Sequence, residues 1–291
     1  MTLRIIKDEL PYFASLVPVA GRRVLDIGCG EGEFTRRLAM EAGARSVVGL
    51  EVEPEKRVTA MKATPLPGVA FEQGRAEAIP LPDRSVDVTV MLKSLHHVPI
   101  PAMDAAFAEI HRVLADDGVL YISEPVYAGE LNEVMRLFHD EGVVRAAAIE
   151  ATARAKQGAA WEAIHEEVVE TTLRFRDFDD FHDRMVVRAG MAIRDDVLPA
   201  VRERFGRSMT PEGARFNRQL RIDLLRKQYR HVVNAVSFDV DKEDGGIDLD
   251  DIWFEDEHGD VFNQLALQRS RRQIQDSLRT LSPEQTAVLA K

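Results

Sequence analysis

Between residues 23 and 123 the sequence alternates short apolar runs with longer stretches whose apolar residues recur every three or four positions. The short runs do not alternate with polar residues, which is typical of strands buried on both faces. The longer stretches are typical of amphipathic helices. Five strands are predicted, over 24–27, 46–50, 69–73, 86–92 and 119–123, and helices over 32–42, 54–61 and 103–114. This alternation predicts a parallel sheet with helices on both faces.

Beyond Pro125 the pattern changes. An apolar stripe over 131–138 and an alanine-rich stretch ending near Gly158 predict helices. Two segments, 169–175 and 220–224, alternate apolar with polar residues and predict two antiparallel neighbouring strands at the sheet edge. The predicted fold is therefore α/β and Rossmann-like: a doubly wound, mostly parallel seven-stranded sheet with an antiparallel edge and a helical insertion after strand five.

The chain is predicted to divide near residue 227. Residues 1–227 would form one domain, with its core at 20–125, a helical insertion or lid at 126–160, and the last strands and helices at 161–227. Residues 228–291 would form a C-terminal extension with an acidic loop over 239–260 and a helix over 263–281. The acidic run lacks the glycine and the final glutamate of a calcium loop, so no metal site is predicted there.

Composition narrows the class of protein. The formal net charge of −11 opposes general binding to nucleic acid, which needs clustered Lys and Arg. Runs of about 18 apolar residues and a secretory signal are both absent from the sequence. The single cysteine, Cys29, excludes an internal disulfide and fits a reducing compartment. A cytoplasmic location is predicted.

A glycine-rich loop follows the first of these strands, with Asp26 before it and Gly28, Gly30 and Gly32 within it. Glycines allow the backbone to turn sharply and to approach a ligand closely. A dinucleotide loop of the form Gly-x-Gly-x-x-Gly would need glycine where Glu33 stands. Glu33 and its neighbour Glu31 would also repel a diphosphate. The loop favours a ligand with positive charge and opposes, without removing, the alternative of a nicotinamide-dependent oxidoreductase.

Several ordered motifs resemble the class I S-adenosylmethionine-dependent methyltransferases, in particular the type 11 branch that acts on small molecules. The resemblance covers residues 20–125 and rests on Val24 to Gly32, Glu51 at the end of strand two, the segment 74–83, and Leu95-His96-His97-Val98 after strand four. It implies methyl transfer to an oxygen, nitrogen or carbon atom of a small-molecule acceptor, with S-adenosylmethionine as cofactor.

The resemblance also implies which residues hold the cofactor. Asp26 and the glycine loop would hold its methionine part, and the Glu51 carboxylate would accept both ribose hydroxyls. Arg75 departs from the Asp or Ser that many relatives place beside the adenine. The full set of predicted cofactor-binding residues is Asp26, Gly28, Cys29, Gly30, Gly32, Glu51, Val52, Arg75, Ala76 and Lys93.

His96 and His97 are the candidate catalytic residues, with His97 preferred because relatives tend to carry the second histidine of the pair. A general base is needed only if the acceptor is protonated at working pH. The alternative is that the pair orders the loop and lines the pocket. A non-catalytic protein that binds S-adenosylmethionine also remains open, as do the acceptor's identity and homo-oligomerisation; no membrane partner and no metal are predicted.

Overall fold

The computed structural model describes residues 3–228. The predictions for the acidic loop over 239–260 and the helix over 263–281 fall outside these residues, as does nearly all of the predicted extension 228–291.

Within residues 3–228 nine strands belong to one sheet. The strands are β1 (Arg4–Ile6), β2 (Arg23–Ile27), β3 (Ser46–Glu51), β4 (Val69–Gln73), β5 (Val86–Leu92), β6 (Leu114–Pro125), β7 (Trp161–Phe175), β8 (Met209–Thr210) and β9 (Gly213–Lys227). Their order across the sheet is β1-β7-β9-β6-β5-β2-β3-β4, with β8 paired to β9.

The strands from β2 to β6 pair in parallel, so their carboxyl ends meet at one edge of the sheet. β9 enters between β6 and β7 and is antiparallel to both. The prediction of a mostly parallel Rossmann-like sheet is confirmed, and so is the antiparallel pairing of the last two predicted strands. The count of seven omits β1 and β8, which have three and two residues and are too short to show a periodic pattern.

Eight α-helices connect or follow these strands in the described part of the chain. They are α1 (Glu9–Leu16), α2 (Glu33–Met40), α3 (Pro54–Lys62), α4 (Met103–Val113), α5 (Glu130–Met135), α6 (Gly142–Gln157), α7 (Phe178–His182) and α8 (Leu198–Gly206). Shorter helical turns cover Leu95–His97, Ile100–Ala102 and Asp183–Val187. None of the helices within residues 3–228 is long and apolar enough to cross a membrane.

Asp116 to Gly118, which fall between the predicted helix over 103–114 and the predicted strand over 119–123, lie inside β6 in the structure. Val86 of β5 pairs with Leu114 and Val88 pairs with Val119, so β6 holds extra residues between these pairs. Asp117 has a left-handed φ of 61°, as expected where a strand bulges. These residues therefore bend a strand instead of preceding one.

Apolar side chains from the two faces of the sheet form two cores. Leu25, Met91 and Ile122 pack with α4 and α6 on one face. On the other face Val24 and its neighbours pack with α1 and α2. Successive residues of one strand therefore enter different cores, which explains why these strands are apolar throughout.

A third cluster, rich in phenylalanine, lies where β7 ends and β9 begins. Phe175, Phe181, Phe205 and Phe216 are almost fully buried in it, and the centroids of the Phe181 and Phe205 rings lie 5.0 Å apart. Leu131 and Val134 of α5 belong to the same cluster. The phenylalanine cluster therefore fixes α5 beside the carboxyl edge of the sheet.

We expect Phe205→Ala to lower the free energy of unfolding by about 3–5 kcal/mol, because it removes a buried ring and leaves a cavity. Val143→Ala is the control, since Val143 is 76% exposed and its loss should change stability by at most about 0.5 kcal/mol. Urea unfolding followed by circular dichroism gives both values. Equal midpoints for the two variants would show that the phenylalanine cluster does not stabilise the fold.

Candidate active site

The glycine loop connects β2 to α2 at the carboxyl edge of the sheet. Gly28, Gly30 and Gly32 all have left-handed φ angles, of 73°, 57° and 80°. A Cβ on Gly28 would lie 2.5 Å from Ser94, and one on Gly32 would lie 2.5 Å from the Phe71 ring. A Cβ on Gly30 would meet no atom within 4 Å. Packing thus requires two of the glycines, whereas the middle one borders open space.

Backbone hydrogen bonds hold this loop against the end of β3. The N–H groups of Gly28 and Cys29 both donate to the Leu50 carbonyl, at 2.8 and 3.1 Å. Glu51 accepts from the Gly30 N–H at 2.7 Å through Oε2, and from the Glu53 N–H at 2.9 Å through Oε1. Glu51 is 4% exposed. Its carboxylate therefore shapes the loop, and each oxygen keeps a further lone pair for another donor.

Asp26 lies at the base of the loop and is buried. Its carboxylate accepts a hydrogen bond of 2.7 Å from the Thr35 hydroxyl. Burial raises the pKa of Asp26 to about 6, although the Thr35 hydrogen bond opposes the shift; the nearby Glu51 charge adds to it. A cation beside this carboxylate would relieve the cost of its buried charge.

A cavity of about 400 Å³ opens beside the loop. Acidic residues outnumber basic residues in its lining: the acidic ones are Asp8, Glu9, Asp26, Glu31 and Glu33, and the basic ones are Arg37 and Lys93. Arg37 forms an ion pair with Asp8, and Lys93 with Glu9. Three carboxylates remain without a cation from the lining, so the cavity favours a positively charged ligand and disfavours a diphosphate.

The cavity wall also includes the predicted cofactor residues Gly28, Cys29 and Lys93. Burial, together with the charges of Asp26 and Glu51, raises the pKa of the Cys29 thiol to about 12. This thiol stays protonated at neutral pH, which suits a packing position and opposes a nucleophile.

The remaining predicted residues lie away from that wall. Val52 is 49% exposed, and the Arg75 side chain is 65% exposed and lies 3.7 Å from Glu77. Ala76 is buried in the core on the α4 side of the sheet. Cofactor binding by Val52, Arg75 and Ala76 stays a prediction.

Sequence reasoning missed the contribution of α1 to this site. Asp8 caps α1 by accepting from the Leu10 N–H at 3.1 Å, and it also pairs with Arg37. Glu9 pairs with Lys93, whose backbone has a left-handed φ of 56°. An Asp-Glu pair before the apolar run that starts at Leu10 is a helix-start signal that could have located α1.

His96 lies in the helical turn after β5 and is 4% exposed. Its Nδ1 is hydrogen-bonded to the Glu124 carboxylate at the end of β6, and its Nε2 lies 3.6 Å from Oε1 of Glu141. Burial alone would lower its pKa, but the two carboxylates raise the pKa of His96 to about 9. His96 is therefore protonated at neutral pH and cannot act as a base there.

His97 stands beside it, with ring centroids 4.1 Å apart, and is exposed. Partial burial and the positive charge of His96 lower the pKa of His97. His97 is thus neutral at pH 7 and able to accept a proton.

One group of possible metal ligands, His96, His97 and Glu141, has donor atoms within 4.8 Å of one another. Glu141 already accepts from Arg145 at 2.6 Å and lies 3.0 Å from Nε2 of His139. Both oxygens of Glu141 thus take part in a network of hydrogen bonds and ion pairs with neighbouring side chains.

Comparisons with known proteins agree with this geometry. Residues 25–122 match the family model described as a methyltransferase domain. The chain is 44% identical over 92 residues to 27-O-demethylrifamycin SV methyltransferase of Amycolatopsis mediterranei, covering 30% of this chain and 33% of that protein. It is 39% identical over 119 residues to a probable S-adenosylmethionine-dependent methyltransferase of Mycolicibacterium smegmatis, covering 41% of this chain and 44% of that protein. The matches thus span less than half the length of these relatives.

The fold extends the likeness beyond the matched segment. The crystal structure of a putative methyltransferase from Bacillus halodurans superposes with a TM-score of 0.56 at 18% identity, over 76% of this chain and 99% of that chain. At this identity the likeness concerns the fold alone. Residues 25–122 thus carry a methyltransferase domain whose sequence is similar to S-adenosylmethionine-dependent methyltransferases, within a fold that resembles the structure of a putative methyltransferase.

Proposed function

We propose that this chain transfers the methyl group of S-adenosylmethionine to an oxygen, nitrogen or carbon atom of a small-molecule acceptor. The observation that carries the proposal is the acidic cavity beside a glycine loop whose middle glycine borders open space. Relatives named for small-molecule methylation support the acceptor class.

The residues around the cavity fit this cofactor. Its sulfonium and ammonium charges would balance the carboxylates that lack a cation, and a cavity of about 400 Å³ lies in the range of small-molecule sites. Asp26 would bind the ammonium group, and Glu51 would use its remaining lone pairs for the ribose hydroxyls. When bound, S-adenosylmethionine supplies a methyl group on a good leaving group.

The two histidines would have different roles toward the acceptor. His97 is neutral at pH 7 and exposed, so it would accept the proton of a hydroxyl or ammonium acceptor. His96 is held between Glu124 and Glu141 and would keep the His97 loop in place. The chain then mainly aligns the acceptor and removes its proton, since the methyl group is already activated.

The direct test incubates the full chain with S-adenosylmethionine carrying a labelled methyl group and a cell metabolite extract. We expect mass spectrometry to find products heavier by one labelled methyl group. Tight binding of S-adenosylmethionine without any labelled product would favour the non-catalytic alternative. Absence of binding, with binding of NADH instead, would contradict both.

Gly30→Ala should weaken S-adenosylmethionine binding by at least about tenfold, because a Cβ would enter the space beside the loop. Gly21→Ala is a matched control, since Gly21 also has a left-handed φ, of 77°, and open surroundings, but lies outside the glycine loop. Both variants should lose similar stability from backbone strain. Calorimetry that finds equal affinity in the two variants would show that the space beside Gly30 does not hold the cofactor.

We expect kcat to be constant above pH 7 and to fall in acid as His97 becomes protonated, at a pKa below the ordinary value near 6.5. The measurement uses saturating cofactor and acceptor, so that protonation of Asp26 near pH 6 does not alter cofactor occupancy. For a hydroxyl or ammonium acceptor, His97→Asn should lower kcat about 10²–10⁴-fold at pH 7 and abolish the acid limb. His182→Asn, on α7, should leave both unchanged. An unchanged pH profile in His97→Asn would exclude His97 as the base.

A further inference from the structure

The Arg218 guanidinium on β9 has no ion-pair partner within residues 3–228, although the charge of Glu9 acts on it. Its Nε atom is inaccessible to solvent and makes no hydrogen bond. Its guanidinium forms no ion pair or hydrogen bond with any group of residues 3–228. The backbone carbonyl of Arg218 accepts a hydrogen bond from the Thr171 hydroxyl. Arginine cannot escape the cost of burial by losing its proton. Arg218 is partly buried, and a partly buried charge without an ion-pair partner is unfavourable, so this position suits a ligand that supplies the opposite charge.

Two neighbouring side chains, those of Arg145 and Asn132, also have buried hydrogen-bond donors without an acceptor. Nη1 of Arg145 on α6 donates to the Asn132 carbonyl oxygen on α5 at 3.1 Å, which fixes both side chains. Nε of Arg145 and Nδ2 of Asn132 are inaccessible and have no acceptor. Together with Nε of Arg218 these make three buried atoms without a partner, and all three are hydrogen-bond donors. A group that brings only acceptors would satisfy all of them.

These residues connect to both halves of the proposed active site. Burial and the nearby charge of Arg145 lower the pKa of Arg218, whereas the charge of Glu9 opposes the shift. Glu9 lines the cofactor cavity and is bound to Lys93. On the other side Arg145 pairs with Glu141, which faces His96. The donors therefore lie where an acceptor molecule would have to lie, near both the cavity and the histidine pair.

We propose that Arg218, Arg145 and Asn132 bind a carboxylate of the methyl acceptor. The inference rests on the proposed methyl transfer and specifies its substrate class. Arg145 is already neutralised by Glu141 at 2.6 Å, and Glu9 is neutralised by Lys93. One positive charge, that of Arg218, then remains without an ion-pair partner. A single positive charge matches a monoanionic carboxylate better than a doubly charged phosphate. The Nε and Nη groups of arginine also match the two oxygens of a carboxylate.

The first test compares Arg218→Met with Arg215→Met in the full chain. Arg215 is exposed and lies on the same strand. Without ligand, Arg218→Met should raise Tm by about 2–4 °C, because it replaces a partly buried cation that lacks an ion-pair partner with an apolar side chain. Its kcat/KM should fall at least about tenfold, since the acceptor carboxylate would lose its counter-charge. Arg218→Lys should recover part of this loss, and Arg215→Met should match the wild type in both measurements.

The second test identifies the ligand group. A metabolite extract is separated by anion exchange into neutral and anionic fractions, and part of the anionic fraction is treated with phosphatase. Labelled methyl transfer should occur with the anionic fraction and should survive phosphatase. Transfer only with the neutral fraction, or loss of transfer after phosphatase, would overturn the assignment of a carboxylate. Arg218→Met with unchanged kcat/KM and a lowered Tm would show that Arg218 only supports the fold.

Binding of S-adenosylmethionine distinguishes a failure of the carboxylate site from a failure of the proposed methyl transfer. Calorimetry with S-adenosylmethionine alone should give the same affinity in the wild type, Arg218→Met and Arg215→Met. Absence of binding in the wild type would refute methyl transfer itself. Normal binding combined with transfer to uncharged acceptors would refute the carboxylate site and leave methyl transfer standing.

Discussion

The contact between the Glu51 carboxylate and the Gly30 N–H underlies the geometry of the site. It connects the carboxyl end of β3 to the loop after β2, and the Leu50 carbonyl adds two more bonds beside it. This buried carboxylate accepts one backbone N–H on each oxygen, so it is held in place before any ligand arrives and keeps a lone pair on each oxygen. The loop is therefore preorganised, so a ligand need not order it on binding.

The acidic cavity and the donors near β9 differ in charge. Carboxylates outnumber cations in the cavity lining, whereas the donors near β9 include Arg218, whose Nε has no hydrogen-bond partner. A cationic methyl donor and an anionic acceptor would each find a complementary environment, and each would be repelled from the other's position. Electrostatic sorting of this kind fixes orientation as much as it adds affinity.

Much of the fold could be predicted from the sequence because strands buried on both faces have an unmistakable apolar pattern, as Val24 to Ile27 show. The glycine loop and its acidic neighbours could be predicted because chain order alone puts them after that strand. The contribution of α1 to the cavity could not be predicted, since Asp8 and Glu9 pair with Arg37 and Lys93, which are distant in sequence. Arg218 did leave a signal, because it lies in register with the buried Leu220, Ile222 and Leu224, where an apolar residue is expected.

The position of Asn132, Arg145 and Arg218 along the chain has a consequence for the choice of acceptor. All three follow the segment that matches the family model, and they stand on α5, α6 and β9, outside the strands and loop that shape the acidic cavity. If these residues bind the acceptor, substitutions at them would change the acceptor and leave the residues that line the acidic cavity intact.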